Sequence, residues 1–154
     1  MLTIVPDEAA YVVERLGRYH RTLRAGVHFL APLLDRVAFR YSLLPKDQDV
    51  ADTCVTRDNV TVAVASRFRW QIADPERAAY ASASETDFIV TLLRTLVRQW
   101  IGARVWDDIR ETTRELEAGV LREAAFSAEQ AGVKVVAFDV QRIERRPTPN
   151  GLSS

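Results

Sequence analysis

Three residues of this chain have the chemistry of a nucleophile or a transition-metal ligand: Cys54, His20 and His28. A cysteine thiolate beside an imidazole base would suit acyl transfer, and two histidines with added acids would suit zinc. Neither pattern is supported by spacing. The histidines flank an expected turn with no acidic cluster nearby, and Cys54 has no local signature of a catalytic cysteine. In "WDDIRE", Asp107 and Asp108 supply two carboxylates, but adjacent residues on a helix do not converge on one point. They suit a helix start, where the dipole favours negative charge. The chain has no glycine-rich phosphate loop. We expect no catalysis, no metal and no cofactor. A hydrolase built on Cys54 is the reading that would overturn this.

Composition narrows the partners. Twenty-one basic residues balance 21 acidic ones, so the formal net charge is zero. A neutral chain lacks the phosphate-neutralising surplus that nucleic-acid binding needs, and low net charge favours self-association. With one cysteine, no internal disulfide can form. The N-terminal "MLTIVPDEAAYVVERLG" lacks the basic-then-apolar order of a signal peptide. No apolar segment approaches the roughly 20 residues of a membrane-crossing helix. A length of 154 residues suits one domain, soluble or peripheral.

The elements that must position these residues follow from periodicity. In "VTVAVASRFRWQI", Val60, Val62, Val64, Phe68, Trp70 and Ile72 share one parity, as in a strand with one buried face. "VAFRYSL" repeats the pattern, and "RDN" (Arg57 to Asn59) is a turn joining a strand around "TCVT" to the long one. "YVVERLG" and "GVHFL" flank the basic loop "RYHRTLRA" and are expected to pair with each other. Asp74 then caps a helix with Pro75 in its first turn, and Ser84 with Asp87 has capping-box spacing. A helical stripe runs from Phe88 to Ile101, stopping at Gly102, and one further helix is expected from about Asp108 to Ala131. "VKVVAFDVQRI" carries apolar residues on both parities, which predicts a strand inside the sheet. The order predicts an α+β domain over residues 1–143, with 144–154 a flexible tail.

Charge is unevenly placed. Arg15, Arg18, Arg21 and Arg24 crowd the N-terminal hairpin, while Asp107, Asp108, Glu111 and Glu115 open the later helical region. The plain reading is two solvated faces. The sharper reading brings the basic loop to anionic lipid or to the acidic helix of a second copy, with Asp108, Glu111 and Glu115 as candidate self-association residues.

Taken together, "VVERLGRYHRTLRAGVHFLAPLLDRV", "TRDNVTV", "DPERA", "LLRTLVRQWIG" and "GVKVVAFDV" resemble the SPFH (band 7) domain of the stomatin and prohibitin group. The likeness is strongest to the stomatin-like, or slipin, branch and covers roughly Val5 to Ile143. It implies an antiparallel β-rich first subdomain near a membrane and an α/β second subdomain. It also implies a non-catalytic scaffold that forms homo-oligomers and organises membrane microdomains, channels or proteases. An NfeD-type membrane protein is an implied partner. Relatives commonly carry an N-terminal anchor and a long C-terminal helix. Here the sequence starts almost at the domain and ends at "RRPTPNGLSS", where Pro147 and Pro149 would interrupt a helix. The expectation is an excised domain or a naturally short protein, peripheral at the cytoplasmic face and weakly associating.

The apolar run Phe29 to Leu34, broken by Pro32, falls in the implied membrane-facing half. Part of it must fill a core. Phe29, Leu30, Pro32 and Leu33 are candidates for shallow membrane contact, with Arg18, Arg21 and Arg24 meeting lipid headgroups. The alternative is a soluble protein-interaction module of the same fold.

Overall fold

The computed structural model describes residues 1–81 and 84–146. Five strands come first: β1 (Leu2–Val5), β2 (Ala9–Arg15), β3 (Arg18–Leu23), β4 (Gly26–Phe29) and β5 (Asp35–Ser42). Two longer strands follow, β6 (Lys46–Val55) and β7 (Thr61–Ile72). Helices α1 (Pro75–Ala79), α2 (Glu85–Gly102), α3 (Trp106–Glu111) and α4 (Thr113–Glu129) then precede β8 (Val133–Arg145). The architecture is α+β, as the order of patterns predicts.

The larger core lies between the antiparallel sheet β6-β7-β8 and helices α2 and α4. Alternation along β7 buries Val62, Val64, Phe68, Trp70 and Ile72 on one face. Ser66 shares that face, and its hydroxyl donates to the Val50 carbonyl at 3.4 Å, so the buried polar group is not orphaned. The caps fall where expected. Asp74 accepts from the Arg77 amide at 3.3 Å and Ser84 from the Asp87 amide at 3.2 Å. Ile89, Leu93, Val97 and Ile101 form the buried line of α2, which includes Gly102 and is capped by Ala103.

Four expectations need correction. The single helix over 108–131 is two helices, interrupted at Thr112. The hydroxyls of Thr112 and Thr113 donate back to the carbonyls of Asp108 and Ile109, a bonding habit that competes with regular helix. Strand β8 is an edge strand, with β7 in the centre. Its apolar residues fall on both parities because register shifts at Ala65/Ser66 and Arg69/Trp70 reverse the pleat. Glu117 blunts the free edge by accepting from the Val140 amide at 3.1 Å. The tail begins later than 144: Arg145 still pairs with Val62, and the Arg146 amide donates to the Thr61 carbonyl. The rest of the expected tail, 147–154, lies outside the described residues.

The fourth correction concerns the first subdomain. Strand β4 pairs with β1, not β2, while β2 is the centre of a separate sheet β3-β2-β5. The β1–β4 ribbon crosses one face of that sheet. Between them lies a second, smaller core of Val5, Val13, Leu23 and Leu30, flanked by Ala9, Tyr11 and Val37.

Candidate functional site

Along the ribbon, Leu2 stands opposite Phe29 and Ile4 opposite Val27. Directly opposed residues project to the same side of a β-ribbon. Val5 turns to the other side, into the small core. The four outward side chains are 71%, 62%, 72% and 65% exposed in that order. Four large apolar residues grouped on one face form a candidate interaction surface, whereas single exposed ones are ordinary.

Beyond Phe29 the chain dips and resurfaces. Leu30 is fully buried in the small core, and its amide donates to the Met1 carbonyl at 2.8 Å. Residues 31–34 then form a tight loop closed by Asp35. The Ala31 amide donates to the Asp35 carboxylate at 2.9 Å, and the Asp35 amide donates to the Ala31 carbonyl at the same distance. Arg15 grips that carboxylate with two bonds, at 2.6 and 3.1 Å. The Arg15 guanidinium and the Ala31 amide together hold the Asp35 carboxyl well below the usual carboxylate range.

Leu33 at the loop tip is fully exposed and has a φ of 69°. The left-handed region is strained for a leucine, and strain of this kind gathers at functional sites. A second tip lies beside it. The β2–β3 turn places Leu16 and Gly17 at φ 55° and 81°, the paired positive values of a tight hairpin. Leu16 is 75% exposed, and its amide donates to the Leu34 carbonyl at 3.2 Å. That bond ties the two apolar tips together at one end of the ribbon.

Basic residues accompany this surface. Arg18 and Arg24 are exposed. Arg21 is half-buried, with its guanidinium donating to the Phe29 carbonyl, so it braces β4 against β3. Of the expected contact residues, Phe29, Pro32, Leu33, Arg18 and Arg24 are at the surface. Apart from half-buried Arg21, the exception is Leu30, which is buried. It cannot meet lipid, because the small core needs an apolar side chain opposite Val13 and Leu23, and Leu30 supplies it. Sequence reasoning missed Leu2, Ile4, Val27, Leu16 and Leu34. The alternation in "LTIV" and "GVHF" was the available signal, but only their mutual pairing puts both apolar parities on one outward face.

The candidate chemistry does not assemble. Cys54 is buried on β6 and burial pushes its thiol up to about 11, while His20 and His28 belong to β3 and β4 in other sheets. The His28 ring bonds to the Arg24 carbonyl at 2.7 Å. Among the described residues no cluster of metal-binding side chains is found. Asp108, Glu111 and Glu115 lie exposed on α3 and the first turn of α4, away from the ribbon, and form no ion pair among the described residues. Nor, among these residues, is any helix long and apolar enough to cross a membrane.

A β-rich subdomain bearing an exposed apolar ribbon, followed by helices on a three-stranded sheet, defines a two-part α+β domain. The chain belongs to the SPFH domain / Band 7 family, whose pattern matches residues 3–148. It is 29% identical to human mitochondrial stomatin-like protein 2 over 96% of this chain and 42% of that protein. An uncharacterised Schizosaccharomyces pombe protein is 30% identical over 93% of this chain and 41% of its own length. A Mycobacterium bovis relative is 26% identical over 96% and 39%. The similarities support the stomatin-like branch. The chain spans about two fifths of the length of these relatives.

Proposed function

We propose that this domain is a non-catalytic scaffold module that rests on a membrane surface through the β1–β4 ribbon and works as a self-associating assembly. The observation carrying this reading is the outward quartet of Leu2, Ile4, Val27 and Phe29, continued by the strained tip residue Leu33. Magnitude explains why one copy would not suffice. Full burial of a large apolar side chain is worth roughly 1.5–3 kcal/mol, and about two thirds of each member of the quartet remains to be buried, so the quartet contributes on the order of 4–8 kcal/mol. That is comparable to one acyl chain, which holds a protein to a bilayer only reversibly. Several linked copies would convert this marginal contact into stable residence through effective concentration.

Exposed Arg18 and Arg24 add attraction to anionic headgroups, about 1 kcal/mol each near the surface. Asp108, Glu111 and Glu115, exposed on the helical layer, are the proposed contact for a neighbouring copy. The organised clients on this reading are membrane proteins such as proteases or channels, with an NfeD-type protein as a partner.

Flotation with vesicles containing phosphatidylglycerol tests the membrane contact. Ile4→Ser with Phe29→Ser should abolish flotation while the melting temperature stays near the parent value. Arg18→Glu with Arg24→Glu should weaken it, and added salt should imitate that change. Unchanged flotation of folded ribbon variants would remove the ribbon from the membrane contact. A parent protein that floats with no vesicle would favour the soluble interaction module instead.

A further inference from the structure

Sheet β3-β2-β5 has a second face, opposite the small core, that meets the helical layer. Glu14 pairs with Tyr19, Val12 with Phe39 and Ala10 with Tyr41, so these side chains share that face. Tyr80, the residue capping α1, stands against it edge-on. Its ring centroid lies 6.2 Å from Tyr19 at an interplanar angle of 85°, and 5.9 Å from Phe39 at 77°. Edge-to-face aromatic contacts of this kind fix orientation as well as burying area.

A polar cluster sits among these rings. The Tyr80 hydroxyl donates to Glu14 Oε1 at 3.0 Å, and Arg36 Nη2 donates to Glu14 Oε2 at 2.7 Å. Glu14 is one of the few polar residues buried in the described chain, and both its carboxylate oxygens are engaged. The guanidinium and phenol hold its carboxyl below the ordinary range, so it stays ionised. Each subdomain also has its own hydrophobic core. Opening this junction would uncover Ala10 and Val12 and draw Tyr41 and Leu43 from the margin of the larger core, but it leaves the fully buried members of both cores in place.

We propose that Tyr80, Glu14 and Arg36 form a latch that sets the angle between the ribbon-bearing subdomain and the helical layer, and that opening it lets the first subdomain tilt as a folded unit. The latch is specific because its buried member is charged. Removing the Tyr80 hydroxyl leaves Glu14 Oε1 without its donor, which disfavours the closed arrangement and favours one in which water reaches the carboxylate. Half of Tyr80 is exposed, so the latch lies within reach of solvent. The inference concerns the molecule in solution and holds whether or not the ribbon meets a bilayer.

Spin labels at Arg24→Cys and Arg122→Cys, in a Cys54→Ala background, report the angle as a distance distribution. Both labelled positions are exposed, one in each subdomain. The expected result is a single narrow distribution in the parent and a broader one in both Tyr80→Phe and Glu14→Gln. Glu14→Gln removes the charge and leaves a single acceptor oxygen for the two donors, so the combined change should broaden it no further than the wider of the two single variants. Glu76→Gln, on the exposed side of α1, should leave the width unchanged. Unaltered width in Tyr80→Phe, which keeps the ring packing, would overturn the latch even if Glu14→Gln failed to fold. Broadening accompanied by loss of the near-ultraviolet circular dichroism would also overturn it, by showing that the core and not the angle had changed.

Discussion

A β-carbon placed on Gly132 would lie 2.3 Å from the carbonyl oxygen of Asp74 and 2.6 Å from the amide nitrogen of Ala78. Both are backbone atoms, so no side chain can move aside. The Gly132 carbonyl meanwhile accepts from the amides of Ala73 and Asp74, drawing the start of α1 onto the α4–β8 turn. With φ at 74°, the position also disfavours any L side chain. Gly132→Ala should therefore destabilise the fold by more than about 1 kcal/mol, through strain and steric conflict together. Chemical denaturation of the purified variant checks it, and a value within error of the parent would refute the close approach.

The Asp35 loop predicts a direction of acid sensitivity. Its folded-state carboxyl is held below the unfolded value, near 3.9 for aspartate, so it contributes stability above that value. The contribution should be complete at neutral pH and disappear as pH falls below about 4. Asp35→Asn should flatten the stability profile over that acidic range and cost stability at pH 7. Melting curves of the two proteins, measured from pH 7 downward, should converge in acid.

Two neighbouring leucines should respond in opposite ways. Leu30→Ala opens a cavity in a core with few other members and should cost about 2–5 kcal/mol. Leu33→Gly removes an exposed side chain and relieves left-handed strain, so it should raise stability by up to about 1 kcal/mol. Denaturant titration gives both numbers. On the membrane reading, the stabilised Leu33→Gly protein should float less well than the parent.

Cys54 should behave as a core residue. With its thiol protonated and buried at neutral pH, it should resist a disulfide reagent in native buffer and react fully in denaturant. Rapid native labelling would contradict its place in the core. Cys54→Ala should fold, and on the membrane reading it should float with vesicles as the parent does.

Local signals were the legible ones. The parity of β7 and the caps at Asp74 and Ser84 depend on residues within a few positions of one another, and the structure follows them closely. Pairings set by distant residues were not legible. A four-residue strand such as β1 carries too little pattern to choose between β4 and β2, and bulges in β8 scramble the parity that would have declared it an edge. The same division runs through the candidate site. Phe29 and Leu33 were readable as exposed apolar residues in a basic setting. Leu30, between them in the chain, goes inward by the alternation of β4, its amide continuing the ladder to Met1, and the closure on Asp35 beyond it returns Leu33 to the surface. No periodicity encodes that closure.

The route of the chain through the main sheet bears on how the protein is made. Strand β7 is flanked by β6, its hairpin partner, and by β8, which follows all four helices: Val62 pairs with Arg145, and Ile72 with Val133. During synthesis the β6–β7 hairpin can close early, but its apolar face, including Phe68 and Trp70, lacks α2 and α4 until those helices emerge. The second edge of β7 also remains unpaired until the last strand arrives. Contacts spanning so much chain are slow to form, because loop closure precedes any packing gain. The interval exposes a long β edge and large apolar side chains together, the combination from which aggregation starts. A nascent chain stalled before Val133 should therefore aggregate more readily than one in which β8 has paired.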